Sequence, residues 1–339
     1  MRELAQELLA GQDAWVVGGA VRDALLGREL VDLDIACAEP EKVARAYANR
    51  SGGAPFPLSE RHGAWRVALD NGTTVDFTPL HGSIEADLFT RDFTINAIAE
   101  PLAGGELVDP SGGRDDLDLH VIRTVTEEAF EADPLRLLRA VRLEDELGFH
   151  MAPLTEELVR RHADLVTSPA GERTLAELLR LSAGGYRRLA ALGLLERFGG
   201  NVDERLDRAD SPAYRLVAVF GANVENFPIS NEQRRYARTL LRAQPPENGS
   251  ARAIHRFRKA SEPWALDALA FVGAQEHTKV VELARAADPE APLLRGDELG
   301  LEPGPEIGRL LALVDEERAA GTINTREEAI ELVNRELKQ

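Results

Sequence analysis

The sequence is short of several things, and each shortage excludes a class of protein. It has one cysteine, Cys37. That excludes an internal disulfide framework and a cysteine-based zinc centre, and it makes a reducing cytoplasm the expected location. No apolar run approaches the ~20 residues of a membrane-spanning helix. The first residues, MRELAQELLAGQDAW, carry acids and an amphipathic pattern where a signal peptide has an apolar core. No membrane partner is expected. Lysine is scarce: of 40 cationic side chains, only Lys42, Lys259, Lys279 and Lys338 are lysines. Positive charge is outweighed throughout, with a net charge of -18 and a pI of about 4.9. Charge alone therefore does not mark a nucleic-acid binder. Net charge is a weak guide when cations cluster, however, and arginine offers a planar fork suited to phosphates and base edges.

What is present is ordinary for a globular protein: 339 residues, 44% hydrophobic and 29% charged, enough for two or three domains. Periodicity divides the chain. Residues 1–10 read as a helix with Leu4, Leu8 and Leu9 on one face. Ala14–Val17 reads as a strand, Val21–Leu26 as a short helix ended by Gly27, and Val31–Ala36 as a half-buried strand. Glu41–Arg50 is helical in pattern. Trp65–Leu69 and Thr74–Thr78 flank DNGT, whose Asn-Gly signals a hairpin. Ser83 is placed to cap a helix that should continue through RDFTINAIA (91–99). From about residue 126 the strand patterns give way to helical ones, interrupted at FPISN (227–231), AQPPENGS (243–250) and ADPEAPLL (287–294). The expected organisation is an α/β head at 1–125, a helical neck at 126–200, and a helical body and tail at 201–339.

One stretch stands out, VVGGAVRDALLGRELVDLDI (16–35). Alternation along a strand puts Asp32 and Asp34 on one face. Two neighbouring carboxylates repel unless a cation lies between them, and hard oxygen ligands suit Mg²⁺. The plain alternative is a solvent-facing edge strand. Upstream, Gly18 and Gly19 follow a strand and lead into a helix, which lets backbone amides approach a phosphate. Arg22, one turn on, is placed to neutralise a phosphate oxygen. No Gly-Lys-Ser/Thr and no G-x-G-x-x-G follows. A phosphate cradle beside a metal dyad suggests nucleoside triphosphate chemistry.

GGAVRDALLGRELVDLDI resembles the signature of the class II nucleotidyltransferases, which include tRNA CCA-adding enzymes and bacterial poly(A) polymerases. Further motifs follow in the family's order. The resemblance implies an α+β fold: a polymerase-β-like head with a small mixed or antiparallel sheet, then an all-α neck, body and tail. It implies two-metal nucleotidyl transfer with Mg²⁺ held by Asp32 and Asp34, CTP and ATP as substrates, pyrophosphate as leaving group, and tRNA as partner. Asp76, in TVDFT, would be the third catalytic acid.

RDFTINAIA resembles the family's second motif. Arg91 and Asp92 would then recognise the sugar and phosphates of the nucleotide, and Asn96 would hold local structure. Thr90 stands where relatives have a further arginine. ADPLRLLRAVR (132–142) resembles the base-reading motif, in which Asp133 and Arg136, at i and i+3 of a helix, read a base edge. Arg139 and Arg142 continue that stripe towards triphosphate, tRNA or neighbouring acids. Ala132 replaces the usual Glu. GERTLAELLRL (171–181) resembles the next motif, with Glu172, Arg173 and Glu177 buttressing the base-reading helix. Asp116 and Arg123 would be structural links between head and neck.

The seven histidines include no His-Asp dipeptide, so an appended HD phosphohydrolase domain is not expected. Residues 296–333 resemble the tail of bacterial CCA enzymes, two helices around GTINT. Only His81-Gly82 separates VDFTPL from SIEADLFTRD, where many CCA-adding relatives have a longer loop. The short connection keeps a CC-adding enzyme open beside full CCA addition. A poly(A) polymerase stays open as well, and so does a catalytically inactive RNA-binding relative. For tRNA phosphates the candidates are Arg187 and Arg188, then Arg234, Arg235, Arg238 and Arg242, then Arg252, Arg256, Arg258 and Lys259. Each cluster also reads as a solvated helix face.

Overall fold

The computed structural model describes residues 1–30, 32–59, 63–80 and 82–338. The chain separates into two compact units, Met1–Phe198 and Gly199–Gln339.

The first unit opens with α1 (Arg2–Leu8), β1 (Ala14–Val17), α2 (Gly19–Leu25), β2 (Asp32–Cys37) and α3 (Pro40–Ser51). Then come β3 (Ala54–Ser59), β4 (Ala64–Ala68), β5 (Thr74–Pro79), α4 (Ile84–Phe89) and β6 (Ala99–Pro101). The six strands form one sheet in the order β3-β4-β5-β2-β1-β6. Only β2 and β5 run parallel; every other pair is antiparallel. The sheet is therefore mixed, as expected. β3 has no counterpart in the sequence reading, because its two prolines mask the pattern. They are tolerated because β3 is an edge strand.

The acidic strand obeys its alternation. Leu33 and Ile35 are buried while Asp32 is exposed and Asp34 half-buried. Ser83 caps α4, its hydroxyl accepting from the Ala86 N–H at 3.3 Å. The helix does not run on through RDFTINAIA, a correction to the expectation. It ends at Phe89, and Thr90 turns its hydroxyl back to the Asp87 carbonyl. Residues 94–96 form a single 3₁₀ turn. The reason is the side chains: Asp92 bonds the Phe93 N–H, and the neighbouring apolar residues Phe93, Ile95 and Ile98 are all fully buried, as no amphipathic helix allows.

The unit continues with α5 (Gly113–Asp118), β7 (Val121–Ile122), α6 (Ala129–Ala132), α7 (Arg136–Leu147), β8 (His150–Met151), α8 (Pro153–Arg161), α9 (Gly171–Leu178) and α10 (Ala183–Ala191). Strands do not vanish at 126, as the sequence suggested: β8 pairs with β7 in a small parallel ladder. Gly113 is required by crowding, since a Cβ there would lie 2.1 Å from the Thr94 carbonyl oxygen. Asp116 accepts from Thr94 and from the Arg123 guanidinium, which fastens α5 to the 94–96 turn; these contacts lie within the expected head and do not themselves join it to the neck.

The second unit is helical: α11 (Pro212–Phe220), α12 (Asn231–Arg242), α13 (Ala251–Ser261), α14 (Ala265–Val272), α15 (Thr278–Ala286), α16 (Pro305–Ala319) and α17 (Arg326–Glu336). One core joins Ile254, Phe257, Leu269 and Val281, and another joins Leu310, Val314, Ala329 and Leu332. Among the described residues, no helix is long and apolar enough to cross a membrane. Val31, at the start of the expected strand, and His62 lie outside the described residues, and so does the His81 half of the His81-Gly82 connection.

Candidate active site

A cleft of about 1020 Å³ in the first unit gathers most of the expected residues. That volume is at the upper end of the range for small-molecule sites. One wall is the sheet. Asp34 on β2 lies opposite Asp76 on β5, and Asp32 opposite Thr74, whose hydroxyl donates to Asp32 Oδ1 at 2.7 Å. Asp32, Asp34 and Asp76 all line the cleft. Burial pushes the Asp34 carboxyl up to about 6; Asp76 and Asp32 add to the rise and Arg91 opposes it. Among the described residues, no donor hydrogen-bonds the Asp34 carboxylate. Asp76 differs, since Arg66 holds both its oxygens, Nε to Oδ1 and Nη2 to Oδ2, each at 2.7 Å.

The glycine turn lies against this wall. Gly18 has φ +71°, a left-handed backbone that glycine adopts without strain. A Cβ at Gly18 would lie 3.4 Å from Asp34 Oδ2 and 3.3 Å from Arg91 Nη1. Gly18 therefore keeps open the space between a carboxylate and a guanidinium. Arg22 is committed to Asp23 through Nε and Nη2, both at 2.9 Å, and to Asn96 Oδ1 through Nη1 at 2.7 Å.

Asn96 passes the connection on, its amide donating to Asp92 Oδ1 at 3.1 Å. Asp92 is only 4% exposed. It also accepts from Phe93 N and pairs with Arg139. Its carboxylate is therefore engaged within the protein, where the resemblance had it recognising nucleotide. Arg91 pairs with Asp87 at 2.9 Å.

The opposite wall is α7 and the segment before it. Asp133 and Arg136 do not share a helix face, which corrects the sequence reading. Pro134 disfavours helical backbone at Asp133, which is extended at φ -146°, so α7 starts only at Arg136. Asp133 pairs instead with Arg173 at 2.7 Å. Arg136 donates to the Thr90 carbonyl at 2.6 Å, and to those of Arg91 and Ala129 at longer range. Arg142 is buried against Glu177 at 2.7 Å, and burial pushes the Glu177 carboxyl up against the pull of its arginines. Arg173 and Glu177 thus contact the lead-in and the helix, respectively. Glu172 is exposed at the start of α9 and makes no hydrogen bond or ion pair to a described residue.

Several cleft residues were missed from the sequence: Arg28, Glu29, Arg66, Asp87 and Arg180. Arg66 carried a readable signal, a cation on a strand just before the hairpin. The other three arginine clusters lie outside this cleft. Arg188 is paired to Glu144 and Glu156. Arg258 is buried and paired to Glu262 and Asp288, so the structure removes it from the candidates for phosphate contact. Arg238 pairs with Glu225 and Arg256 with Glu316. Arg234 and Arg235 keep no ion pair to a described residue.

A carboxylate row on a mixed sheet, a glycine turn beside it and an arginine-rich helix facing it define a nucleotidyltransferase. Known proteins bear this out. Residues 14–123 match the Poly A polymerase head domain. The chain is 32% identical to the CC-adding tRNA nucleotidyltransferase of Thermus thermophilus, across 94% of this chain and 92% of the relative. It is 34% identical to the A-adding tRNA nucleotidyltransferase of Deinococcus radiodurans, across 95% of both. The crystal structure of the Bacillus stearothermophilus CCA-adding enzyme in complex with CTP superposes with a TM-score of 0.78 at 27% identity, covering 99% of this chain and 97% of that one. The chain belongs to the class II tRNA nucleotidyltransferase family.

Proposed function

We propose that this protein adds nucleotides to the 3′ end of tRNA without a template, using CTP and ATP and releasing pyrophosphate in the cytoplasm. The observation that carries the reading is the pairing of Asp34 with Asp32 on one strand face, opposite the arginines of α7, in one cleft. The family membership supports the tRNA substrate.

The residues fit a divalent cation. Asp34 is a carboxylate without a hydrogen-bond donor among the described residues, raised in pKa by burial and by two further acids, and a hard cation relieves that repulsion. Asp32 and Asp34 would hold Mg²⁺. When bound, it supplies charge neutralisation at the triphosphate and activation of the 3′-hydroxyl. The chain's own groups do the positioning. The Gly18–Gly19 backbone and Arg91 receive the phosphates. Arg22, held by Asp23 and Asn96, keeps a fixed positive charge at the base of the turn. Asp133 and Arg136 present a carboxylate and a guanidinium to the base edge, and Arg173 and Glu177 fix that wall. Asp92 orders the floor through Asn96 and Arg139. Positioning and preorganised charge account for most of the acceleration in such transfers.

A second reading is CC addition alone. The connection from β5, which ends at Pro79, to α4, which begins at Ile84, is short. A longer loop there accompanies full CCA addition in many relatives. The test uses tRNA transcripts ending before CCA, after C and after CC, each with CTP, ATP or both, sized on a sequencing gel. A CCA end that then stops supports the first reading. Arrest at CC selects the second, long A tails indicate a poly(A) polymerase, and no extension rejects all three.

A further inference from the structure

Arg66, Asp76 and Asp34 form one row across three neighbouring strands. Arg66 is opposite Asp76 in the β4–β5 ladder, and Asp76 is opposite Asp34 in the β5–β2 ladder. All three line the cleft. The order across the sheet is cation, carboxylate, carboxylate. The guanidinium takes both Asp76 oxygens at 2.7 Å, the two-pronged geometry that only arginine supplies. Asp34, one strand further on, is left without a donor among the described residues. The adjacent residue on β4, Trp65, points to the other face of the sheet and lies under the Arg45 guanidinium, 4.7 Å from the ring centre. The strand is thus anchored from behind, and Arg66 is held facing the cleft.

We propose that Arg66 is a positioning residue of the transfer reaction: its fork keeps Asp76 out of the cation-binding set and lowers the divalent-cation affinity of Asp32 and Asp34. The inference rests on the reading of those two acids as the cation ligands. Its logic is charge counting. Oxygen sites bind divalent cations more tightly as ligand charge rises, and Asp76 lies in register with Asp34. With its oxygens free, Asp76 would make a three-carboxylate site. Paired to Arg66, it has both oxygens engaged and part of its charge offset. A site weakened in this way would hold a divalent cation poorly on its own and would favour its binding together with the nucleotide.

The experiment titrates the full chain with Mn²⁺ in the absence of nucleotide, following free Mn²⁺ by electron paramagnetic resonance. Arg66→Met should bind Mn²⁺ about three- to ten-fold more tightly than the parent. Arg66→Lys, which keeps the charge and loses the fork, should fall between them. The double variant Arg66→Met/Asp76→Asn should return to parental affinity, because the third carboxylate is gone. Both single variants should lower kcat with little change in KM for CTP. Unchanged or weaker Mn²⁺ binding by Arg66→Met overturns the proposal, and so does tight binding that survives in the double variant. If Arg66→Met does not fold, Arg66→Lys decides: affinity no greater than the parent's counts against it. Asp32→Asn is the control for the underlying reading. If it binds Mn²⁺ as the parent does, the cation ligands are misassigned, and this inference falls with them.

Discussion

Asp92 and Arg139 are ion-paired across the floor of the cleft, Oδ2 to Nη2 at 3.1 Å, with the carboxylate side chain 5% exposed. The pair joins the 91–99 segment to α7. Through Asn96 the same carboxylate reaches Arg22, so four residues from three parts of the sequence form one connected network. Burial alone would raise the Asp92 carboxyl, but Arg139, the Asn96 amide and the Phe93 N–H outweigh it and hold the pKa below the ordinary 3.8.

Breaking that pair from one side should therefore be costly. Arg139→Ala leaves a buried carboxylate without its cation, and a drop of about 3 kcal/mol in urea unfolding of the first unit is expected. Asp92→Asn/Arg139→Gln should recover part of the stability and none of the transfer activity. The depressed pKa also sets a pH signature. The contribution of Asp92 is complete above pH 3.8 and is lost as the pH falls through its lower folded value. Asp92→Asn should accordingly flatten the acid limb of the stability profile below pH 4.

Asp34 is shifted the other way, and its removal should stabilise the metal-free protein. With the carboxyl raised to about 6 by burial and neighbouring acids, its ionised form is disfavoured in the fold. The penalty is complete above pH 6 and disappears as the pH falls below 3.8. Asp34→Asn, measured by thermal melting with a chelator present, should gain on the order of 2–3 kcal/mol at pH 8 and nothing at pH 3.5. The same variant should be inactive in nucleotide addition. Equal melting temperatures at pH 8 would remove the electrostatic argument for the site.

Much of this arrangement was legible in the sequence because it depends on local rules. Alternation placed Asp32 and Asp34 on one face, the glycine pair marked the turn, and Ser83 marked a helix start. What was not legible depended on a one-residue difference or on tertiary packing. Read as a two-residue turn, Asn71-Gly72 would pair Arg66 with Phe77. The loop instead has three residues, closed by the Leu69 N–H to Thr73 C=O bond, with Gly72 at φ +82°. That shift pairs Arg66 with Asp76; a one-residue slip exchanges the two faces of a strand. Asp133 looked helical by spacing, and Pro134 prevented it. Residues 91–99 looked helical because Arg91 and Asp92 followed a helix, yet nearly every side chain there is buried.

Asp133 offers a test of base selection. Its partner Arg173 lies on α9, and the two oxygens of Asp133 are shared between Arg173 and the Leu135 N–H. Asp133→Asn keeps the shape and the Leu135 bond and loses the charge. Its expected effect is a fall of about 10²-fold in kcat/KM with altered preference between CTP and ATP, the size seen when one well-placed hydrogen bond is removed from an active site. Arg173→Ala should change the preference less and lower kcat/KM by about ten-fold, because it acts only through Asp133. Competition between labelled CTP and ATP in one reaction reads both. Unchanged selectivity in Asp133→Asn would move base reading elsewhere in the cleft.

The helical unit separates structural arginines from those free to meet RNA. Arg235 and Arg242 are exposed on α12 without an ion pair among the described residues, whereas Arg258 is 8% exposed and paired to two acids. Arg235→Gln/Arg242→Gln should weaken tRNA binding without lowering the melting temperature. The slope of log K against log salt should become shallower by about one for each phosphate that is no longer neutralised. Arg258→Ala should do the reverse, leaving Glu262 and Asp288 short of a partner and reducing stability, while the salt slope measured on the folded fraction stays at the parental value. A parental slope in the α12 double variant would mean that tRNA phosphates meet another face. The acidic surface gives the comparison its force: with a net charge of -18, the expectation is that tRNA phosphates meet the few cations not already paired to a carboxylate.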